Sequence, residues 1–207
     1  QANVVEYLTR SDYGDWTQME GSWSPDGSQI AYVSTEGNRA RIWIMNRDGS
    51  NRHLLTAGDG YEDKQPAWSP LGDWIATAAQ KAGTADWQIH LVDSTTGERR
   101  RIVTTNKGIN RAAAWSPDGS QLAFARGTTT PDDICVINRD GSGQRCYQTR
   151  WPEDLPDWSP DGNWILFERR VDSTYLKEIF AVRADFGLEI RLTYNSADDW
   201  GAVWLNR

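Results

Sequence analysis

The sequence is short of the residues that most catalytic and metal sites use. Its 207 residues include only two histidines, His53 and His90, and two cysteines. The histidines fall in different copies of the repeat described below, which is a poor arrangement for a shared metal or a catalytic triad. The G-x-S-x-G, H-E-x-x-H and G-x-x-x-x-G-K-[ST] motifs are also missing from the sequence. We therefore predict a protein that is not an enzyme and has no cofactor.

Long apolar runs and basic clusters are missing as well. No stretch approaches the ~20 apolar residues of a membrane helix. The first residues lack the basic, apolar and small-residue order of a secretory signal. Acidic residues outnumber basic ones by 29 to 22, the net charge is −7, and the basic residues are scattered, whereas nucleic-acid binding needs them clustered. We expect no membrane insertion, no nucleic-acid partner and no signal peptide within this chain.

Tryptophan is the residue in excess, and part of it belongs to a repeat. The chain has 12 tryptophans. The segment Trp23-Ser24-Pro25-Asp26-Gly27 returns at 68–72 (with Leu71 in place of Asp), 115–119 and 158–162, and Trp204 begins a fifth copy. The five tryptophans lie 45, 47, 43 and 46 residues apart. A period of ~40–45 residues is typical of β-propeller blades.

Each repeat contains four short stretches that predict strands A, B, C and D. In the first repeat these strands are residues 21–24, 29–34, 41–45 and 52–56. Ser-Pro-Asp-Gly suits the turn between strands A and B. Strands B and C are apolar at consecutive positions, which predicts a sheet covered on both faces. The predicted fold class is all-β, a β-propeller of four-stranded antiparallel blades.

We predict one domain over residues 1–207, with complete blades at about 18–56, 63–104, 110–149 and 153–193. Residues 3–9 match an outer strand and residues 200–206 an inner strand. Together they predict a partial fifth blade that lacks strands B and C. An open ring would leave apolar blade faces in water. Three explanations stay open: the chain is part of a longer protein, another chain completes the ring, or four blades close with the extra strands tucked in.

The repeated tryptophans and the two cysteines are interpreted as structural. Large aromatic residues at one register are expected to wedge between neighbouring blades. Counting outward from the Asp140-Gly141 turn places Cys135 and Cys146 opposite each other on strands C and D. We expect a disulfide there in an oxidising compartment, and two buried thiols otherwise. The predicted wedges are Trp23, Trp68, Trp115, Trp158 and Trp204.

Five oxygen-bearing residues share the position five before each repeated tryptophan. The register predicts a ring at one mouth of the central channel, formed by Gln18, Asp63, Asn110, Glu153 and Asp199. Oxygen ligands suit calcium, so a cation site at this pore-mouth ring is one hypothesis. A solvated polar rim is the other, and it is favoured because two of the five residues are amides.

The connections from each strand D to the next strand A are acidic and aromatic. Loops on a rigid scaffold often carry function, and aromatic residues rimmed by polar groups are typical of protein-binding patches. We predict that a protein partner binds this D-to-A loop face. The candidate partner-binding residues are Asp15, Trp16, Tyr61, Glu62, Trp151, Asp154, Asp198 and Trp200.

The order W-S-P-D-G, I-A-F/Y, I-x-V-M/I-N-x-D-G-S and L-T resembles the repeat of the TolB-like β-propeller family. It is clearest at residues 23–56, 115–149 and 158–193. The resemblance implies a bacterial, exported propeller that binds a protein, in the periplasm or outside the cell. It does not by itself imply catalysis.

The prediction for function is a non-catalytic scaffold that docks a protein partner through its D-to-A loop face. One alternative is the substrate-gating propeller of a prolyl-oligopeptidase-like peptidase whose catalytic domain is absent from this chain. A second is a structural subunit whose incomplete blade is completed by a neighbouring chain, which would give homo- or hetero-oligomers. A third is an oligosaccharide-binding propeller.

Overall fold

A computed structural model describes residues 18–58, 60–102, 108–127, 133–148, 151–171 and 176–205. These residues form sixteen β-strands and no helix, so they contain no helical segment able to cross a membrane. The strands are β1 (Gln18–Trp23), β2 (Gln29–Ser34), β3 (Arg41–Asn46), β4 (His53–Leu54), β5 (Tyr61–Trp68), β6 (Trp74–Lys81), β7 (Trp87–Asp93), β8 (Arg99–Arg101), β9 (Ile109–Trp115), β10 (Gln121–Gly127), β11 (Asp133–Asn138), β12 (Arg145–Tyr147), β13 (Glu153–Trp158), β14 (Trp164–Val171), β15 (Leu176–Arg183) and β16 (Glu189–Arg191).

The strands form four sets of four, which we call units 1 to 4 (β1–β4, β5–β8, β9–β12 and β13–β16). Within each unit, consecutive strands pair antiparallel in the order A, B, C, D. Units 2 and 3 are also joined by one parallel pair, Trp87 with Ile109. The all-β, antiparallel prediction is therefore confirmed.

The strand boundaries differ from the prediction at the two edges of the first unit. Strand A begins at Gln18 instead of residue 21, and strand D shortens from residues 52–56 to His53–Leu54. The backbone N–H groups of Leu55 and Thr56 both point to the same acceptor, the carbonyl oxygen of Ile42. This shared acceptor breaks the regular ladder, so the outer strand ends early.

Apolar side chains fill the spaces between units. Trp68 packs against residues of unit 1, Trp115 against unit 2 and Trp158 against unit 3, and all three are buried. Each of these tryptophans covers the preceding unit, as the wedge prediction expects. Trp204 packs in the same way on Leu166, Ile179 and Ala181 of unit 4.

Trp23 corrects the wedge prediction, because its side chain is 54% exposed. A tryptophan at this register needs a preceding unit to pack against, and the described residues contain no unit before unit 1. The wedge role therefore depends on a neighbour, and the sequence motif alone does not guarantee burial.

The inner strands share a bulge that the sequence does not reveal. The third residue before each tryptophan has a positive φ between 50° and 53° at Glu20, Gln65, Ala112 and Leu155. A register shift interrupts the pairing of strands A and B there in every unit. Left-handed backbone at four equivalent positions shows that the bulge is a regular part of the inner strand.

Residues 201–205, which we call the fifth segment, adopt part of the same conformation. Gly201 occupies the bulge position with a φ of 68°. The Trp204 N–H donates to Asp157 Oδ2 at 2.8 Å, as the Trp68 N–H donates to Ser22 Oγ at 2.9 Å. The fifth segment nevertheless forms no strand, which corrects the prediction for residues 200–206, because no described strand lies beside it to pair with. The predicted strand at residues 3–9 lies outside the described residues.

Candidate functional site

The D-to-A and B-to-C connections lie at the same end of each unit, because the strands alternate in direction. We call this end the loop face and the end with the A-to-B and C-to-D turns the turn face. Six of the eight predicted partner-binding residues lie at the loop face: Tyr61, Glu62, Trp151, Asp154, Asp198 and Trp200. Asp15 and Trp16 lie outside the described residues.

Trp200 is 73% exposed. Its neighbours hold it firmly. Gly201 N–H donates to Glu168 Oε1 at 2.6 Å, and Asp199 N–H donates to the Lys177 carbonyl at 2.9 Å. Asp198 accepts the Lys177 N–H at 2.7 Å. The structure therefore presents an exposed indole on an anchored backbone.

The buried carboxylate of Glu168 organises this anchor. Its other oxygen accepts a hydrogen bond from Lys177 Nζ at 2.8 Å. One residue on β14 thus links the start of β15 to the fifth segment. Sequence reasoning missed Glu168, because it stands inside an apolar strand B and has no acidic counterpart in the other units.

Trp151 and Asp154 flank the start of β13 between units 3 and 4. Asp154 Oδ2 pairs with Arg111 at 3.1 Å, and both side chains are half-buried. A pocket beside them is lined by Arg111, Pro152, Glu153, Asp154, Glu168, Arg169, Arg170 and Lys177. Its lining is charged with both signs, which suits a polar part of a partner.

Tyr61 and Glu62 are less available than the sequence suggests. The Tyr61 ring lies 5.0 Å from the His90 ring, and the Arg99 guanidinium lies 4.9 Å from the Tyr61 centroid. Both Tyr61 and Glu62 are half-buried. The structure places them at the loop face but uses the Tyr61 ring within unit 2.

The predicted pore-mouth ring is corrected, since the structure turns its central members into the interfaces between units. Asp63 is fully buried, pairs with Arg99 through both oxygens at 2.8 and 3.0 Å, and accepts the Thr56 hydroxyl at 2.9 Å. Asn110 is fully buried and donates to Gln88 Oε1 at 3.1 Å. A buried carboxylate is stable only when paired, so Asp63 serves the fold as half of an ion pair.

Glu153 is the third buried member and bonds to groups of both unit 3 and unit 4. It accepts two bonds from Arg169, at 3.0 and 2.7 Å, and the Ile134 N–H of unit 3 at 3.1 Å. Arg169 also pairs with Glu189, which accepts the Tyr147 hydroxyl at 2.7 Å. Burial and the bond to Glu189 raise the pKa of Tyr147 to about 12.

The remaining two members of the ring do not restore it. Asp199 is half-buried and accepts a bond from the Asn195 amide at 2.6 Å. Gln18 begins β1. Within the described residues, no group of three or more His, Cys, Asp and Glu side chains is placed to hold a metal ion.

A central cavity is lined by residues that lie one to three positions before the repeated tryptophans. They come from the inner strands of all four units and from the fifth segment: Glu20, Gly21, Ser22, Gln65, Pro66, Ala67, Ala112, Ala113, Leu155, Pro156, Asp157, Gly201, Ala202 and Val203. Glu20 accepts the Gln65 N–H at 2.5 Å, and Gln65 accepts the Ala112 N–H at 2.8 Å. The residue types at the bulge position differ in every repeat, so no sequence pattern marks the bulge.

Cys135 and Cys146 are directly opposite on β11 and β12 and form a disulfide. Cys135 is fully buried among the apolar side chains between units 2 and 3. The bond joins two strands of one unit and lies away from the cavity-lining residues.

Comparisons with known proteins find relatives among TolB proteins and peptidases. No family model matches the chain. It is 35% identical over 135 residues to the Tol-Pal system protein TolB of Desulfosudis oleivorans, covering 65% of this chain and 30% of that protein. It is 28% identical over 178 residues to the uncharacterized peptidase YuxL of Bacillus subtilis, covering 80% of this chain and 26% of that protein. The chain therefore spans less than a third of either relative.

A solved structure extends the likeness to the fold. The structure of putative TolB from Agrobacterium tumefaciens superposes with a TM-score of 0.76 at 24% identity, over 89% of this chain and 64% of that one. An agreement of this size over most of the chain shows a common architecture.

Proposed function

Because this chain is a TolB-like β-propeller, we propose that it is a non-catalytic scaffold that works by binding another protein. The partner docks on the loop face, in the periplasm or outside the cell. Support comes from the likeness to a Tol-Pal system protein and from the chemistry of the loop face. Binding through surface complementarity needs no reactive group, which fits a site made of aromatic, acidic and paired basic side chains.

The observation that carries this proposal is the exposed, anchored indole of Trp200. Exposed tryptophans are rare without a reason, and tryptophan is enriched among the residues that dominate binding energy at interfaces. The backbone of Trp200 is fixed on both sides by bonds to Lys177 and Glu168. A fixed anchor loses little conformational entropy on binding.

A capture experiment with the intact protein tests the proposal. The partner is captured from extracts of the source cells by the wild type and by the Trp151→Ala/Trp200→Ala variant. The matched control is Leu71→Ala, which removes an exposed side chain from a turn of the turn face. We expect capture to fall at least tenfold in the double variant, the size of about 1.4 kcal/mol, and to be unchanged in the control. Equal capture by all three proteins would show that the wrong face has been chosen.

A second candidate function is the gating propeller of a peptidase, which the likeness to YuxL favours. In that case the central cavity, and not the loop face alone, would contact the substrate. The complete gene separates the two candidates. A hydrolase domain in the same reading frame would establish the peptidase, and its absence would support the scaffold.

Closure of the ring can be judged by comparing the residues that follow strand D in units 1, 2 and 4. The backbone N–H groups of Leu55, Ile102 and Leu192 make the same bond to strand C in units 1, 2 and 4. Leu55 and Ile102 are buried under the next unit, at 7% and 2% exposed, whereas Leu192 is 47% exposed. We propose four complete blades, with the fifth segment covering the inner half of the unit 4 face through Trp204 and the outer half left to be covered.

Sedimentation tests whether a second chain provides this cover. If it does, the wild type associates in a concentration-dependent way, and Leu192→Lys shifts it to monomer because a charge cannot be buried unpaired. A matched control is Leu71→Lys, which adds the same charge at the turn face. A wild-type monomer at every concentration would exclude the structural-subunit role.

A further inference from the structure

Unit 3 contains both cysteines of the chain, and their disulfide fastens its outer strand. The outer strand β12 has three residues and pairs only with β11. Cys146, in its centre, is bonded to Cys135 directly across the ladder. The covalent link therefore reinforces an edge strand that pairs with β11 at only three positions.

The other side of β12 is hydrogen-bonded to unit 4. Side chains alternate along a strand, so Arg145 and Tyr147 lie on the side opposite Cys146. Arg145 Nη2 donates to the Ala184 carbonyl at 2.9 Å, and the Tyr147 hydroxyl donates to Glu189 Oε2 at 2.7 Å. We call β12 with these two bonds the clasp.

The clasp connects to the loop face through charged groups. Glu189 pairs with Arg169, and Arg169 pairs with Glu153 at 2.7 Å. Glu153 begins β13, two residues after Trp151 and one before Asp154. It also accepts the N–H of Ile134, the residue before Cys135. The disulfide and the two candidate binding residues therefore belong to one bonded network.

We propose that the redox state of the Cys135–Cys146 disulfide controls how firmly Trp151 and Asp154 are held at the loop face. With the disulfide formed, β12 is fixed and Tyr147 keeps Glu189, Arg169 and Glu153 in place. With the disulfide reduced, β12 detaches more often, and the start of β13 loses part of its support. That this affects partner binding rests on the proposed function, whereas the effect on the strand does not.

The reducing agent required is a dithiol. One of its thiolates attacks Cys146 Sγ, since Cys135 is fully buried, and Cys135 leaves as a thiolate that takes a proton from water. The second thiolate attacks the reductant sulfur of this mixed disulfide, and Cys146 leaves as a thiolate. The dithiol ends as a cyclic disulfide after giving two electrons.

A cation is placed to assist the second step. Arg126 Nη1 lies 3.7 Å from Cys146 Sγ. A guanidinium beside a sulfur stabilises the thiolate and makes it a better leaving group. Arg126 therefore favours release of Cys146, the sulfur that is closer to the surface.

The proposal is tested by comparing amide hydrogen exchange of the intact chain with and without dithiothreitol. The chain has no other cysteine, so the reagent can act only on this bond. We expect amide exchange at 145–147 and 151–158 to rise about tenfold or more on reduction, and exchange at β2 and β3 of unit 1 to stay unchanged. The Cys135→Ser/Cys146→Ser variant should show the fast pattern without reductant and no response to it.

Two further variants keep the test decisive if the serine variant folds poorly. Tyr147→Phe retains the disulfide and loses only the bond to Glu189, so exchange at 151–158 should rise without reductant. Arg126→Gln should slow reduction several-fold and leave exchange of the oxidised protein unchanged. Unaltered exchange at 151–158 after complete reduction would overturn the proposal, as would an equal rise in unit 1.

The same samples separate this inference from the proposed function. Faster exchange with a parallel loss of captured partner supports both. Faster exchange with undiminished capture supports the redox effect and counts against the loop face as the binding site.

Discussion

Asp157 lies at a position where burial disfavours the ionised form of its carboxylate. It lies in the last position before Trp158, lines the central cavity and accepts the Trp204 N–H at 2.8 Å. Burial raises its pKa above the ordinary 3.8, although backbone hydrogen bonds oppose the shift. A raised pKa means that the ionised form is less favoured in the folded protein than in the unfolded chain.

The variant Asp157→Asn is therefore expected to be more stable than the wild type at pH 7. Asparagine keeps an oxygen to accept the Trp204 N–H but carries no charge to desolvate. The wild type binds more protons when folded, so its stability falls as the pH rises from 3.8 through the raised pKa. Urea unfolding at pH 7 and pH 3 measures the difference, which should vanish at pH 3. A less stable variant at pH 7 would show that the charge is needed, as a bound cation in the cavity would require.

Glu189 shows the opposite sign. Burial acts to raise its pKa, but hydrogen bonds from Arg169 and Tyr147 outweigh burial and lower the pKa below the ordinary 4.5. Its contribution to stability is present above pH 4.5 and is lost as the pH falls through the lowered pKa.

We expect Glu189→Gln to destabilise the protein at pH 7 by about 1–3 kcal/mol, because Arg169 is left with a weaker partner. The deficit should shrink as the pH falls below 4.5. Exposed Glu98 provides the control, since Glu98→Gln should unfold like the wild type at both pH values. Urea midpoints supply the readout, and a deficit that is independent of pH would contradict the assignment of the ion pair.

At the scale of the elements, the repeated tryptophan is decisive only where a unit precedes it. Trp115 is buried at the interface of units 2 and 3, whereas Trp23 has the same sequence context and is exposed. Trp115 and Trp23 are therefore a matched pair of positions for mutation.

We expect Trp115→Ala to cost about 3–5 kcal/mol, the usual range for loss of a buried aromatic side chain. Trp23→Ala should cost less than about 1 kcal/mol, since little apolar area is lost from the core. Urea unfolding followed by tryptophan fluorescence measures both. Similar losses in the two variants would mean that Trp23 is covered in solution.

The strands could be predicted from sequence because their causes are local. The Ser-Pro-Asp-Gly turn and the consecutive apolar residues of strands B and C determine where each hairpin lies. Strand B of unit 1, for example, was predicted with its observed bounds. The cross-strand position of Cys135 and Cys146 also followed from counting residues out of a turn.

The direction of the polar side chains could not be predicted, because it depends on neighbouring units. Asp63 and Glu153 share a sequence position that suggested a ring at the pore. Their partners, Arg99 and Arg169, stand on different strands of their units, D in one case and B in the other. The two arginines therefore do not share a repeat position from which they could be predicted. From the sequence alone, Asp63 and Glu153 look like unpaired acidic residues.

At the scale of the whole molecule, the two faces of the array differ in chemistry. The turn face includes repeated Ser-Pro-x-Gly turns, and in three of the four turns the serine hydroxyl donates a hydrogen bond to the aspartate. The bond from Ser24 lowers the pKa of Asp26 to about 2. The loop face carries residues that differ between repeats, including Asp154 and Trp200. Repeated residues build the scaffold, and the residues that differ between units are free to specify a partner.

Site-specific photo-crosslinking tests the loop face most directly. A benzophenone amino acid replaces Tyr194, an exposed aromatic residue beside the candidate binding residues, or Leu71 on the turn face. Both proteins are irradiated in extracts of the source cells, and the crosslinked species are compared on a denaturing gel. We predict one discrete protein adduct from position 194 and none from position 71. An adduct from position 71 alone would contradict the loop face as the binding surface.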